Sequence, residues 1–187
     1  MKNRPVATVI ALVFAFASTA TQSATQINFL RHAEVDMTNP DKPLVEAGKQ
    51  RAAALAQYFD GTNITHIFVT NYERNKDTGS PLAQSKNLEL EQIPMLGSKI
   101  DGKEVTNRSK GNVAIQPMLK ALSDLPDGSV AVVIGNSGNL YPIMSKYGVT
   151  NLPCPTKKCF PKKEFDNIWV VTNDGGSISM TKAKYGH

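Results

Sequence analysis

The chain has 187 residues, 41% of them hydrophobic and 20% charged, the size and makeup of about one globular domain. Its formal charge is +5, and +3 once Lys2 and Arg4 near the N-terminus are set aside, because no acidic residue precedes Glu34. So mild a basic balance suits a small anionic substrate, and without Arg/Lys runs interleaved with aromatics it excludes nucleic acid as a partner.

Taken in chain order, residues 1–24 read as a signal peptide ahead of a single domain over 25–187. Lys2 and Arg4 make a positive start, 6–17 is apolar or small apart from Thr8, and 18–24 is small and polar, as a cleavage site requires. An apolar run of about 12 residues is too short to cross a ~30 Å hydrocarbon core as a helix. The expectation is a cleaved leader, a periplasmic or secreted product, and no stable membrane insertion afterwards.

Strands are expected over 26–30, 66–70, 129–134 and 168–172, with a fifth over 177–181 after the turn at 173–176. Leu44, Ala47, Ala52, Leu55, Ala56 and Phe59 fall near helical spacing and predict a helix over 44–59. A shorter helix is expected over 78–86. Residues 91–111, polar and carrying Gly97, Gly102 and Gly111, read as an excursion loop, and 112–125 as a helix that Pro117 ends or kinks. Alternating strands and helices imply an α/β domain, a mostly parallel sheet with helices on both faces. The run 130–134 is apolar at every position, as befits a strand covered on both sides.

Cys154 and Cys159 are the only cysteines. In an exported chain so close a pair predicts one disulfide, which stabilises a short loop by roughly 2 kcal/mol in the chain-entropy model. A zinc site would need two further ligands, and no histidine is near.

Three polar clusters each follow directly on a strand: Arg31-His32-Ala33-Glu34, Asn71-Tyr72-Glu73-Arg74 and Gly135-Asn136-Ser137-Gly138-Asn139. Parallel strands would bring all three to one edge of the sheet, where ligands of open α/β folds bind. Arginine forks match phosphate oxygens, and a glycine-bounded turn entering a helix offers backbone N–H groups to an anion. A histidine between them can form a covalent intermediate. These residues point to phosphate binding, with Arg31, Arg74 and Asn136 in the pocket and His32 as the reactive group.

The same segments carry a resemblance. Phe29-Leu30-Arg31-His32-Ala33-Glu34 resembles the Arg-His-Gly/Ala-Glu signature of the histidine phosphatase superfamily. The run from Pro43 to Ala52 is similar to the start of that family's first helix, with Val45 where Thr or Ser usually stands. Residues 68–78, ending Arg74-Asn75-Lys76-Asp77-Thr78, resemble the segment that supplies a second phosphate-binding arginine, and 164–171 with Tyr185-Gly186 resembles the closing strands of exported members. The resemblance spans nearly all of 26–187 in order. It implies a three-layer α/β/α fold like that of phosphoglycerate mutase and hydrolysis of phosphate monoesters through a phosphohistidine on His32. It further implies phosphate held by Arg31 and Arg74, no metal or other cofactor, and a phosphorylated small molecule or a glycan or lipid headgroup as substrate.

One position departs from the pattern. Similar family members carry Gly-His-Ser after the third strand, where this chain has Gly135-Asn136-Ser137. His66 opens its strand, about 17 Å from the edge at ~3.3 Å per residue, and cannot stand in; His187 is the last residue. Asn136 keeps an amide donor without a charge. Losing a transition-state donor costs about 3–4 kcal/mol, so a slowed enzyme is expected, with a non-catalytic binder of phosphorylated ligands as the alternative. A phosphoglycerate mutase is disfavoured by export. No general acid is identified among Glu89, Glu91, Asp101 and Glu104. Glu34 reads as the structural partner of an arginine, and Lys157, Lys158, Lys162 and Lys163 as a solvated loop.

Overall fold

Successive side chains of a strand point to opposite faces, so a run that is apolar throughout must be covered on both sides. Val130–Gly135 is such a run: Ala131 and Val133 join one apolar cluster, Val132 and Ile134 the other, and all four are fully buried. The computed structural model describes residues 23–70, 72–94, 99–100, 103–104, 115–152, 161 and 163–186. Most of the leader at 1–24 lies outside the described residues, as do Cys154, Cys159, Lys157, Lys158, Lys162 and His187.

In chain order the elements are β1 (Thr25–Arg31), α1 (Glu46–Tyr58), β2 (His66–Thr70), α2 (Glu73–Lys86), β3 (Glu91–Ile93), β4 (Lys99–Ile100) and β5 (Lys103–Glu104). There follow α3 (Gln116–Ser123), β6 (Val130–Gly135), α4 (Ser137–Tyr147), β7 (Asn167–Asp174) and β8 (Ser177–Lys184). A six-stranded sheet runs β3-β2-β6-β1-β7-β8, and β4 pairs with β5 apart from it. The first apolar cluster unites Ile27, Phe29, Phe68 and Trp169 of the sheet with Met118 and Leu122 of α3 and Leu140 and Ile143 of α4. The second unites Leu30, Ile67, Val69 and Ile168 with Leu55 of α1 and Leu82 of α2. Complete burial of a Leu, Ile or Phe side chain contributes roughly 1.5–3 kcal/mol, so the two clusters supply much of the drive to fold.

The sheet is mixed, with four of its six strands parallel. β3, β2, β6 and β1 run parallel, whereas β7 pairs antiparallel with β1, and β8 antiparallel with β7. For β8 the cause is local: Gly175 at φ 54° and Gly176 at φ 92° make a two-residue turn with both central residues left-handed, which closes the β7–β8 hairpin. β8 holds only exposed and half-buried positions, as an edge strand does.

Three expectations are corrected. α2 begins at Glu73 and not near 78, because its polar first turn is held by the fold, Asn75 and Thr78 being fully buried. Part of the excursion is β-structure: β3 adds to β2 as a parallel edge strand of three residues, too short to show a period. Pro117 stands in the first turn of α3, where its missing N–H is no loss, so it opens the helix.

Candidate functional site

The register brings the clusters together. Arg31 pairs with Gly135 across β1 and β6, and Val69 with Ile134 across β2 and β6, so three parallel strands end at one edge. His32 continues the ladder by one bond, its backbone N–H donating to the Gly135 carbonyl at 3.0 Å. The side chain of His32 is only 4% exposed.

Its imidazole Nδ1 lies 2.7 Å from the carbonyl oxygen of Ala33. A carbonyl can only accept, so Nδ1 carries the hydrogen and Nε2 of the neutral ring keeps its lone pair. Burial pushes the ring's pKa down to about 3, opposed by the Ala33 carbonyl and helped by the charges of Arg31, Arg74 and Lys42. At neutral pH His32 is therefore an uncharged imidazole with Nε2 available, the state a nucleophile requires.

Arg74 stands in the first turn of α2, and its Nε and Nη2 both donate to Asn136 Oδ1, at 2.9 and 2.7 Å. A guanidinium has donors only, which fixes the amide: the oxygen faces Arg74, and the Nδ2 hydrogens are left for other acceptors. Asn136 caps α4, and its backbone N–H donates to Asn139 Oδ1 at 2.8 Å, the residue three places on reaching back over the helix start. Arg31 and Arg74 are both partly buried; desolvation lowers the pKa of each, and Arg74 lowers that of Arg31 further. Two partly desolvated cations this close repel, and a dianion between them relieves the repulsion. Each also lies against an aromatic face, Arg31 Cζ being 4.2 Å from the Phe165 ring centroid and Arg74 Cζ 4.2 Å from that of Tyr72.

The chain beyond His32 is fixed on two sides. Thr78 of α2 accepts from the Ala33 N–H at 2.9 Å and donates to the Arg74 carbonyl at 2.7 Å, so one hydroxyl ties the strand end to the arginine's own turn. Below it, Asn75 donates to the Thr70 hydroxyl at the end of β2. On the other side Glu34 is gripped by Arg51 of α1, whose Nε lies 2.7 and 2.9 Å from its two oxygens. Val45 sits at the helix start without a side-chain cap and donates its N–H to the Glu34 carbonyl at 3.1 Å. Gly48 makes this closeness possible: a Cβ there would stand 2.1 Å from the Glu34 carbonyl oxygen.

Arg31, His32, Arg74 and Asn136 are thus neighbours, and Glu34 is an arginine's structural partner. His66 opens β2, at the opposite edge. Glu89 and Glu91 are exposed; Asp101 lies outside the described residues. Reasoning from residues passed over three contributors: Thr78, Gly48 and Phe165. Thr78 was visible as the last member of the arginine segment, Gly48 within the helix-start pattern and Phe165 within the closing-strand pattern at 164–171, which says nothing of its contact with Arg31. Among the described residues no group of three or more His, Cys, Asp or Glu could hold a metal ion, and no helix is long and apolar enough to cross a membrane.

The family model of the histidine phosphatase superfamily (branch 1) matches residues 27–98, a span that holds Arg31, His32, Arg74 and Thr78 and ends before Asn136. No curated protein matches the chain. Among solved structures, the protein histidine phosphatase SixA complexed with tungstate is similar at TM-score 0.60 and 17% identity, over 85% of this chain and 96% of that one. Mycobacterial glucosyl-3-phosphoglycerate phosphatase is similar at TM-score 0.60 and 16% identity, over 87% and 99%. Bacillus stearothermophilus YhfR is similar at TM-score 0.63 and 16% identity, over 87% and 96%. These likenesses show a shared fold.

Proposed function

We propose that this chain is a member of the histidine phosphatase superfamily, with its three-layer α/β/α arrangement, and that it hydrolyses phosphate monoesters outside the cytoplasm. The observation that carries the reading is the neutral His32 ring, with Nδ1 spent on Ala33 and Nε2 free, beside two partly buried guanidiniums. Arg31 and Arg74 hold the phosphoryl oxygens. His32 Nε2 attacks phosphorus in line, the P–O ester bond breaks, and the leaving oxygen takes up a proton. Water then attacks the phosphohistidine, the P–N bond breaks, and inorganic phosphate leaves with the ring restored. The substrate is a phosphorylated small molecule or a phosphorylated glycan or lipid headgroup, met in the periplasm or the medium after the leader is cleaved.

Asn136 favours a second reading, a non-catalytic binder of phosphorylated ligands, because its amide already occupies two donors of Arg74. One experiment separates the two. Mature protein is assayed on a generic aryl phosphate beside His32→Ala, and inorganic phosphate binding is measured by calorimetry. Turnover that His32→Ala reduces by about 10³-fold or more supports the enzyme. Phosphate binding with no turnover supports the binder, and neither activity overturns both.

A further inference from the structure

Phe165 lies in the segment 163–166 that leads into β7, far in sequence from every residue assigned to the site. Its ring is half-buried yet takes part in neither core cluster. What it touches instead is the site: Arg31 Cζ stands 4.2 Å from the ring centroid, and the His32 ring centroid 6.0 Å away, with the planes tilted by 55°. We propose that Phe165 is a positioning residue of this site, supporting the Arg31 guanidinium beside His32 and shutting water away from the imidazole.

The proposal rests on the phosphohydrolase reading and extends it. A guanidinium that must meet a phosphate needs a support that steadies it without neutralising it. A carboxylate would compete with the substrate, whereas the negative face of an aromatic ring attracts the cation without bringing a charge that repels phosphate. The same ring edges the imidazole. Burial is the largest influence on His32; the charges that also bear on it are Arg31 from β1, Lys42 from the loop before α1 and Arg74 from α2, all pushing its pKa down, with the Ala33 carbonyl opposing. Opening the Phe165 side admits water and stabilises the protonated ring, so the titration of His32 must move upward.

The test uses mature protein and three variants, Phe165→Ala, Phe165→Leu and Phe165→Tyr, with folding followed by circular dichroism. The His32 ring is titrated by NMR, its signal identified by its loss in His32→Gln, and inorganic phosphate affinity is measured by calorimetry. Phe165→Ala should raise the His32 midpoint by about one pH unit or more and weaken phosphate binding about fivefold or more. Phe165→Leu, which keeps the apolar bulk and loses the ring face, should weaken phosphate binding while moving the midpoint little. Phe165→Tyr should restore both. If Phe165→Ala does not fold, Phe165→Leu decides: wild-type phosphate affinity in it overturns the proposal. So does a folded Phe165→Ala with the wild-type midpoint and affinity. The failures are distinguishable, because wild-type protein that neither turns over an aryl phosphate nor binds phosphate sinks the phosphohydrolase reading, while the His32 titration is still read.

Discussion

Asn136 sets the chemistry of the site by what its amide does to Arg74. With Oδ1 accepting from both Nε and Nη2, the fork that should meet a phosphate is partly engaged before any substrate arrives. Replacing Asn136 by His frees that fork and, when protonated, adds a charged donor. Two unit charges ~4 Å apart at an effective dielectric of ~20 attract by about 4 kcal/mol before desolvation is subtracted. The net gain should be roughly 10–100-fold in kcat/KM, largest below pH ~6.5 where an unperturbed histidine is charged, as rate profiles of Asn136→His between pH 5 and 8 would show. Asn136→Asp should act in the other direction: a carboxylate facing Nε and Nη2 pairs with Arg74 and repels phosphate, weakening inorganic phosphate binding by about tenfold or more in calorimetry. His32 supplies a pH prediction. Its folded pKa, about 3, lies below the ordinary 6.5, so the unfolded chain takes the proton first. The stability this neutral ring permits is fully present above pH ~6.5 and is lost progressively as pH falls toward 3. The urea midpoint of wild type should therefore drop more between pH 7 and 4.5 than that of His32→Gln; equal drops would contradict the buried, neutral ring.

The helices position these side chains through small contacts, and two of them can be tested by shape alone. Gly48→Ala would drive a methyl into the Glu34 carbonyl, a backbone group with no room to give. Overpacking of this kind costs about 1–3 kcal/mol, so the denaturation midpoint should fall and the chain beyond His32 should shift with it. Thr78→Val keeps the volume but leaves the Ala33 N–H without its acceptor, at a cost of about 1–3 kcal/mol and with a loss in kcat that Thr78→Ser restores. Both contacts show why elements were easier to read than their joints. A strand buried on both faces, such as β6, announces itself by composition, and α1 by its spacing. The clusters at the strand ends were legible because parallel pairing alone puts them on one edge. The antiparallel edge was obscured because the apolar run in β7 is as continuous as that of a parallel strand, and only the glycine turn gives it away. α2 was read too short because Asn75 and Thr78 are polar residues buried by hydrogen bonding, which no apolar period records. Phe165 was beyond reach, since its meaning lies wholly in a contact with a residue more than a hundred positions earlier.

For the molecule as a whole, export and covalent bracing belong together. If the leader delivers the chain to an oxidising compartment, Cys154 and Cys159 should be joined, and thiol titration of unfolded, unreduced protein should find no free thiol; two per chain would contradict both ideas. The order of the sheet adds a temporal dimension. β1, which carries Arg31 and leads directly into His32, lies between β6 and β7, so its second edge is covered by a segment synthesised more than a hundred residues later. Arg51, which grips Glu34, also donates to the carbonyl of Tyr185 at 3.4 Å, directly after β8. A growing chain that has reached only 150 residues therefore has His32 but not the strand beside β1, nor Phe165 against Arg31. Its bare strand edge invites pairing with other chains until the hairpin arrives.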